Sequence, residues 1–405
     1  MKIVTGDAFL SEQKRAKIGR RKYLKHAGGI VAIAVVAATG YGMYKTTRPA
    51  ATEYSTTTIT ERETHTVTTT KTEEKLVEPT ELVKITPEVN VAAVYLLTWG
   101  VYPNTRSSDW NLGTPYTPIL GSYRSDDPRV VNWHIKWALE HGITHFIFVW
   151  QLETFHGFLN SKYAGEIGFF IWDSFEDPKF PERSEEREEL IRHHITDYSR
   201  HMRRSNYLKI DGRPVIVFGN MGNVHLQYGS EWAAESVKDL RKIVSEISGK
   251  DPYIFGDFHP YSPQLYGANG PLWADAVDGF FGYYIIGPGF GVLSYDDLIN
   301  TNLSVNKFWF ELARKKKKGF IPHVLPSFSN KILHDRGIDD WLIHYPDSSP
   351  EKFRIMCRNA RDMVDEKTKM VSVTAWNEYQ EGAVIEPTLE YGFSHLKVIR
   401  DVFAR

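Results

Sequence analysis

A single cysteine in 405 residues, Cys357, excludes an intramolecular disulfide and any cysteine-based metal site. It falls in an expected helix over 352–364, which predicts a buried, inert thiol. Excess charge of one sign is also lacking, because 49 Lys and Arg face 50 Asp and Glu for a formal net charge of −1. A dedicated nucleic-acid surface would be strongly basic, so no nucleic-acid partner is expected. No Gly-rich phosphate loop follows an apolar run, which counts against a doubly wound open sheet, the alternative α/β architecture. Between Thr46 and Thr72 large apolar residues are nearly absent, and such a segment cannot bury enough surface to fold.

What is present begins with a basic segment, residues 1–26, carrying Lys14, Arg15, Lys17, Arg20, Arg21, Lys22 and Lys25. An uncharged Ala- and Gly-rich run, 27–44, follows. Gly19-Arg20-Arg21-Lys22-Tyr23-Leu24-Lys25 resembles the twin-arginine export signal, in which paired arginines precede an aromatic, a leucine and a lysine just before an apolar run. No Ala-x-Ala site follows the run, Ala32-Ile33-Ala34 lying inside it, so it is expected to stay as a membrane anchor. Residues 45–84 then read as a Thr-rich stalk. The expected partners of this end are the export machinery and the membrane, and the expected location is the cell surface. The sequon Asn302-Leu303-Ser304 is compatible with export.

From residue 85 to 405 apolar runs alternate with amphipathic stretches, the pattern of a parallel α/β fold. Strands are expected over 91–99, 143–150, 214–218, 253–257, 277–286, 320–325 and 370–376. Helices are expected over 128–140, 185–205, 232–248, 295–314, 352–364 and 393–403. Polar or aromatic residues recur just past the strand ends: Trp99, Trp150, Asn220, Asp257, Tyr284, Ser327, Glu378. That is the disposition of a (β/α)8 TIM-type barrel, whose chemistry sits on the loops after the strands. Seven strands are counted where eight are required. Residues 151–181, rich in Phe, Tyr and Trp, read as a long insert of functional character.

The chemistry concentrates after the last strand, in Val371-Ser-Val-Thr-Ala-Trp-Asn-Glu-Tyr-Gln-Glu-Gly-Ala-Val-Ile-Glu-Pro387. Glu378, Glu381 and Glu386 crowd beside Trp376, Asn377 and Tyr379, three candidate sugar contacts. Glycosidic hydrolysis needs one carboxylic acid to protonate the leaving oxygen and a second carboxylate as base or nucleophile. Crowding in a partly desolvated pocket helps, since two carboxylates there do not both ionise easily. The plain alternative is a pair of solvated loop acids, and position at a strand end is what favours the site.

Asp257 and His259 after the fourth expected strand read either as substrate contacts or, for Asp257, as a helix cap. Tyr283 and Tyr284 divide between core and cleft by strand alternation, with Tyr284 taken as the cleft residue. Trp99 and Trp150 are candidate stacking platforms or core. His193 and His194 are adjacent, point about 100° apart on a helix, and so do not form a chelating pair. Lys315 to Lys318 read as a solvated helix end.

Several phrases together resemble glycoside hydrolase family 99, the endo-α-mannosidases, and its family-99-like relatives. They are Pro118-Ile-Leu-Gly-Ser-Tyr-Arg-Ser-Asp-Asp-Pro-Arg-Val-Val-Asn-Trp-His134, Gly142-Ile-Thr-His-Phe-Ile-Phe-Val-Trp150, Tyr207-Leu-Lys-Ile-Asp-Gly-Arg-Pro-Val215, Pro322-His-Val-Leu-Pro-Ser-Phe-Ser-Asn330 and Trp376-Asn-Glu-Tyr-Gln-Glu-Gly382 with Ile385-Glu-Pro387. The resemblance implies a (β/α)8 barrel that cleaves α-linked mannose-type glycans with retention and without a metal or other cofactor. It places the family's N-E-[WY]-x-E-G pattern on Asn377, Glu378, Tyr379, Glu381 and Gly382. Glu378 is then the base on the sugar's own 2-hydroxyl and Glu381 the general acid. Gln380 departs from the pattern, many relatives having His there. The rival reading is a non-catalytic cell-surface glycan-binding protein on the same barrel.

Overall fold

The strands expected at the apolar runs are present and lie side by side in parallel. The structure is a computed structural model, and it describes residues 78–79, 81–101, 109–150, 154–175, 180–258, 266–285 and 289–404. The basic segment, the apolar run 27–44 and the Thr-rich segment up to residue 77 lie outside the described residues. No helix among the described residues is long and apolar enough to cross a membrane.

Eight parallel strands form the wall: β1 (Asn90–Tyr95), β2 (His145–Val149), β3 (Gly168–Asp173), β4 (Arg213–Phe218), β5 (Tyr253–Asp257), β6 (Gly279–Phe281), β7 in two parts (Gly319–Ile321 and His323–Val324) and β8 (Met370–Val373). Each pairs with the next from β1 to the first part of β7, and β8 pairs with β1. The second part of β7 pairs with β8, and the carbonyl of the intervening Pro322 accepts from Ser372 N–H at 2.9 Å. Proline has no N–H to give to the ladder, so it splits β7 in two while the ring still closes. β1 is apolar almost throughout, as a strand buried on both faces must be.

The strand absent from the sequence reading is β3, Gly168-Phe-Phe-Ile-Trp-Asp173. It sits inside the stretch taken as an insert. Its aromatic run and the short helix α2 (Phe155–Leu159) before it hide the usual strand-turn-helix rhythm. The stretch read as a long functional loop contains a barrel strand and a short helix.

The outer helices are α1 (Pro128–Glu140), α3 (Ser184–Tyr198), α4 (Met221–Tyr228), α5 (Ser230–Ser248), α6 (Trp273–Ala276), α7 (Tyr295–Lys316), α8 (Lys331–Asp335), α9 (Pro350–Arg361) and α10 (Ser394–Phe403). Local chemistry sets their ends. Asp127 caps α1 by accepting from Arg129 N–H at 2.9 Å, with Pro128 in the first turn, and Gly142 leaves it at φ +80°. On α5, Val237, Leu240, Ile243 and Val244 recur at helical spacing and are fully buried. Burying side chains of that size contributes roughly 1.5–3 kcal/mol each.

Three expectations are revised. Asn302 of the sequon is fully buried in α7, its amide donating to the His323 carbonyl at 3.0 Å, so it is not an accessible glycan acceptor in the fold. Lys316 and Lys318 are not simply solvated, because they bind Asp275 and the Val277 carbonyl. The close of the Thr-rich segment docks on the barrel: Asn132 donates to Glu78 at 2.7 Å and the Tyr163 hydroxyl to the Pro79 carbonyl at 2.8 Å.

Candidate active site

After β8 the chain forms a tight hairpin in which Asn377–Glu378 runs antiparallel to Ala383–Val384. Gly382 makes the turn possible. It sits at φ +62°, donates to the Tyr379 carbonyl at 3.1 Å, and an added Cβ would lie 3.1 Å from Pro115.

The hairpin is fastened to β1. Trp376 N–H donates to the Val94 carbonyl at 2.7 Å. The Asn377 side chain then acts like one more strand residue, its Oδ1 accepting from Leu96 N–H at 2.8 Å and its Nδ2 donating to the Leu96 carbonyl at 2.9 Å. Trp99 Nε1 donates to the Asn377 carbonyl at 2.7 Å. Trp99, Trp376, Asn377 and Tyr379 are all fully buried, and the Trp99, Trp110 and Tyr379 rings form a cluster, Trp99 lying 4.2 Å from Trp110 and 5.6 Å from Tyr379. These four candidates form the wall behind the acids.

Glu378 and Glu381 are each 4% exposed, shielded from bulk water at the carboxyl end of the barrel. The Tyr284 hydroxyl donates to Glu381 Oε2 at 2.8 Å. Burial pushes the Tyr283 and Tyr284 phenols well above their ordinary range, and the charges of Glu378 and Glu381 push both further the same way. Both tyrosines therefore sit in the field of both acids and stay neutral. Alternation predicted only one of them there. It does not apply, because β6 ends at Phe281 and both residues lie beyond the pleat.

Asp257, fully buried, is a hub. Its Oδ1 accepts from Tyr283 N–H at 3.2 Å, and its Oδ2 accepts from Trp172 Nε1 at 3.0 Å and Asn220 N–H at 3.3 Å. The Trp172 ring stacks on Tyr283 at 4.8 Å. Only glycine at 219 allows this, since a Cβ there would come within 2.4 Å of the Trp172 ring. Trp150, partly exposed, rests on Tyr198 at 4.6 Å and Phe155 at 5.8 Å. His259 lies outside the described residues.

Glu386, the third acid of the stretch, is placed differently. It is 1% exposed, accepts from the Tyr123 hydroxyl at 2.7 Å, and lies 3.1 Å from His134 Nε2, whose Nδ1 is 2.7 Å from the Tyr95 hydroxyl. Burial pushes the Tyr379 phenol well above its ordinary range, and the charge of Glu386 pushes it further the same way.

Sequence reasoning missed Trp172, Tyr283, Tyr123 and His134. Trp172 is the penultimate residue of β3, close to the strand end as Trp99 and Trp150 are to those of β1 and β2, so the same pattern would have drawn attention to it had β3 been seen. Tyr123 and His134 lie within a quoted family phrase, but nothing in their spacing joins them to residue 386. Among the described residues, no group of three His, Cys, Asp or Glu side chains is arranged to hold a metal.

Comparison with known proteins bears on this site. Residues 291–399, which include β7, β8 and the acid hairpin, match the family model described as glycosyltransferase WbsX. The chain is similar in structure to a glycoside hydrolase-like protein, with TM-score 0.61 and 19% identity over 80% of this chain and 97% of that one. It is also similar to the GH99 endo-α-mannosidase from Bacteroides thetaiotaomicron, solved with BIS-TRIS-propane, with TM-score 0.54 and 18% identity over 77% and 95% of the two chains. A second structure of that enzyme gives TM-score 0.52 and 16% identity over 77% and 95%. No curated protein matches the chain. The fold is therefore of the TIM-barrel type found in family 99, and the family resemblance read from the residue phrases recurs in these comparisons.

Proposed function

We propose that the chain is a retaining glycosidase acting on α-linked, mannose-type or related glycans, with Glu378 as base and Glu381 as general acid. The observation that carries the reading is the placement of Glu378 and Glu381 on one hairpin at the carboxyl end of a family-99-like barrel, with Tyr284 donating to Glu381.

In the first half-reaction Glu378 takes the proton of the sugar 2-hydroxyl as that oxygen attacks the anomeric carbon. Glu381 gives its proton to the departing glycosidic oxygen. The bond to the leaving group breaks as the anhydro ring forms. In the second half-reaction water opens that ring at the anomeric carbon, Glu381 taking its proton and Glu378 returning one to the 2-oxygen. Tyr284 holds Oε2 of Glu381, which assigns the transferable proton to Oε1. Both steps depend on two groups of opposite protonation state, so turnover should follow a bell-shaped pH profile.

The test is hydrolysis of a panel of α-linked glycans by the full chain beside Glu378→Gln and Glu381→Gln. Turnover by the parent and a loss of about 10² or more in both variants supports the reading, that being the scale of acid–base groups. Binding of a glycan without turnover, unaltered in both variants, rejects the acid–base assignment and leaves the glycan-binding protein. A second reading is favoured by the description of the matched family model as a glycosyltransferase. A sugar hydroxyl would then replace water in the second step. Elongated products in the same assay distinguish it.

In this reading the segment before residue 78 holds the barrel outside the cell, exported by the twin-arginine route and anchored by 27–44. Recovery of the chain in the soluble cytoplasmic fraction would reject that placement.

A further inference from the structure

Two of the three glutamates in the hairpin segment carry the proposed chemistry, and the third is placed differently. We infer that Glu386, Tyr123 and His134 are positioning residues that hold the Glu378–Glu381 hairpin in its working geometry. The inference rests on the proposed acid–base pair.

The connections run without a gap from the outer helix layer to the residue beside Glu378. His134, on α1, is fully buried and lies 3.1 Å from Glu386 Oε1. The Tyr123 hydroxyl donates to Glu386 Oε2 at 2.7 Å and accepts from Asn377 Nδ2 at 3.3 Å. Asn377 pairs with both polar groups of Leu96 and is followed directly by Glu378. On the main chain, Glu386 N–H donates to the Trp376 carbonyl at 2.9 Å, tying the two ends of the hairpin together. Glu386 thus draws together the hairpin's base (Trp376) and its shoulder (Asn377, through Tyr123).

The chemistry needs such a device. Glu378 and Glu381 are borne on a loop, and a loop carboxylate misplaced by about 1 Å can lose about 10²-fold in rate. A fully satisfied buried network fixes a loop in a way that apolar contact alone does not, because each hydrogen bond is directional. Glu386 meets no bulk water, so the network lies behind the reacting atoms and acts through Asn377.

The test combines turnover with amide hydrogen exchange in the full chain, its Tyr123→Phe variant and its Glu386→Gln variant. Tyr123→Phe is the milder change, removing one hydroxyl and keeping the ring. The expected result is exchange at Trp376 and Glu386 faster by about tenfold or more, with the amides of β2 and β3 unchanged. Turnover falls by about 10²-fold with KM within a few-fold of the parent. Unchanged hairpin exchange overturns the inference whether or not the parent is active. So does exchange that quickens equally across the barrel, which marks a merely structural role, or a loosened hairpin with full turnover. A parent that turns over no glycan while the hairpin loosens as expected rejects the hydrolase reading alone and leaves the positioning of the hairpin standing.

Discussion

Glu381 and Glu386 are five residues apart, almost equally buried, and each accepts a tyrosine hydroxyl, yet they do opposite work. Glu386 is held by Tyr123 and His134, both partners within the protein. Glu381 lies at the open end of the barrel among Tyr284, Tyr283 and a second carboxylate. In the proposed reading one acid holds the hairpin and the other carries the chemistry. The difference teaches that burial and hydrogen bonding do not by themselves mark an active acid. The side of the hairpin from which the partners come does.

The comparison breaks first under stability measurements. Glu386→Ala leaves the Tyr123 hydroxyl and His134 buried without their acceptor, and loss of one member of a buried charged network destabilises by about 3–5 kcal/mol. Glu381→Gln keeps the shape and relieves like-charge crowding with Glu378, so its unfolding free energy should stay within about 1 kcal/mol of the parent while turnover collapses. Denaturant unfolding of both variants checks this. Equal destabilisation would remove the distinction between the two acids.

Acid pH sharpens it next, by separating lost chemistry from lost fold. Burial holds the His395 imidazole, on α10, at about 4 against an ordinary 6.5. The folded state therefore prefers the neutral ring. Above pH 6.5 both states are neutral and the preference has no effect. Between 6.5 and 4 the unfolded chain takes up the proton first, and about 3 kcal/mol of stability is lost across that window. His395→Phe should remove its share of that slope, while His145 and His201, also held at about 4 by burial, keep theirs, and it should leave the acid limb of turnover in place, because that limb belongs to the base. Thermal unfolding and rate, each against pH, make the check.

Much of this was legible in sequence. Helix α1 was placed at 128–140 by Pro128 and Gly142, as observed, because caps and prolines act locally. The acids were legible because polar residues after a β-branched run have few other uses. β3 was not, since a strand of aromatics buried on both faces has no alternation to read and follows another apolar helix. Residue type makes Trp99, Asn377 and Tyr379 candidate sugar contacts, but it does not tell that all three side chains are fully buried. The bond from Tyr123 to Glu386 spans 263 positions, and no local pattern encodes it.

A smaller effect tests the floor of the cleft. Gly219→Ala puts a Cβ against the Trp172 ring, which stacks on Tyr283 and donates to Asp257. Forcing an atom into that packing should destabilise by about 1–3 kcal/mol and lower turnover, with the network around Glu386 untouched. Hydrogen exchange at Trp376 equal to the parent's would confirm that the two sides of the hairpin are independent.

The smallest expected effect carries the most information about roles. Tyr284→Phe removes one hydroxyl from Glu381 and keeps the ring edge-on to Phe328 at 5.7 Å. A net hydrogen bond of this kind is worth about 1–1.5 kcal/mol, so the rate should change by about tenfold or less. The donor favours the ionised carboxylate, and without it Glu381 keeps its proton to higher pH. If Glu381 is the general acid, active when protonated, the basic limb of the pH–rate profile moves up by about one unit. If it is the base, active when ionised, the acidic limb moves instead and the roles of Glu378 and Glu381 are exchanged. A profile that does not move at all would show that Tyr284 holds substrate and not the acid, leaving Glu381 governed by the hairpin alone.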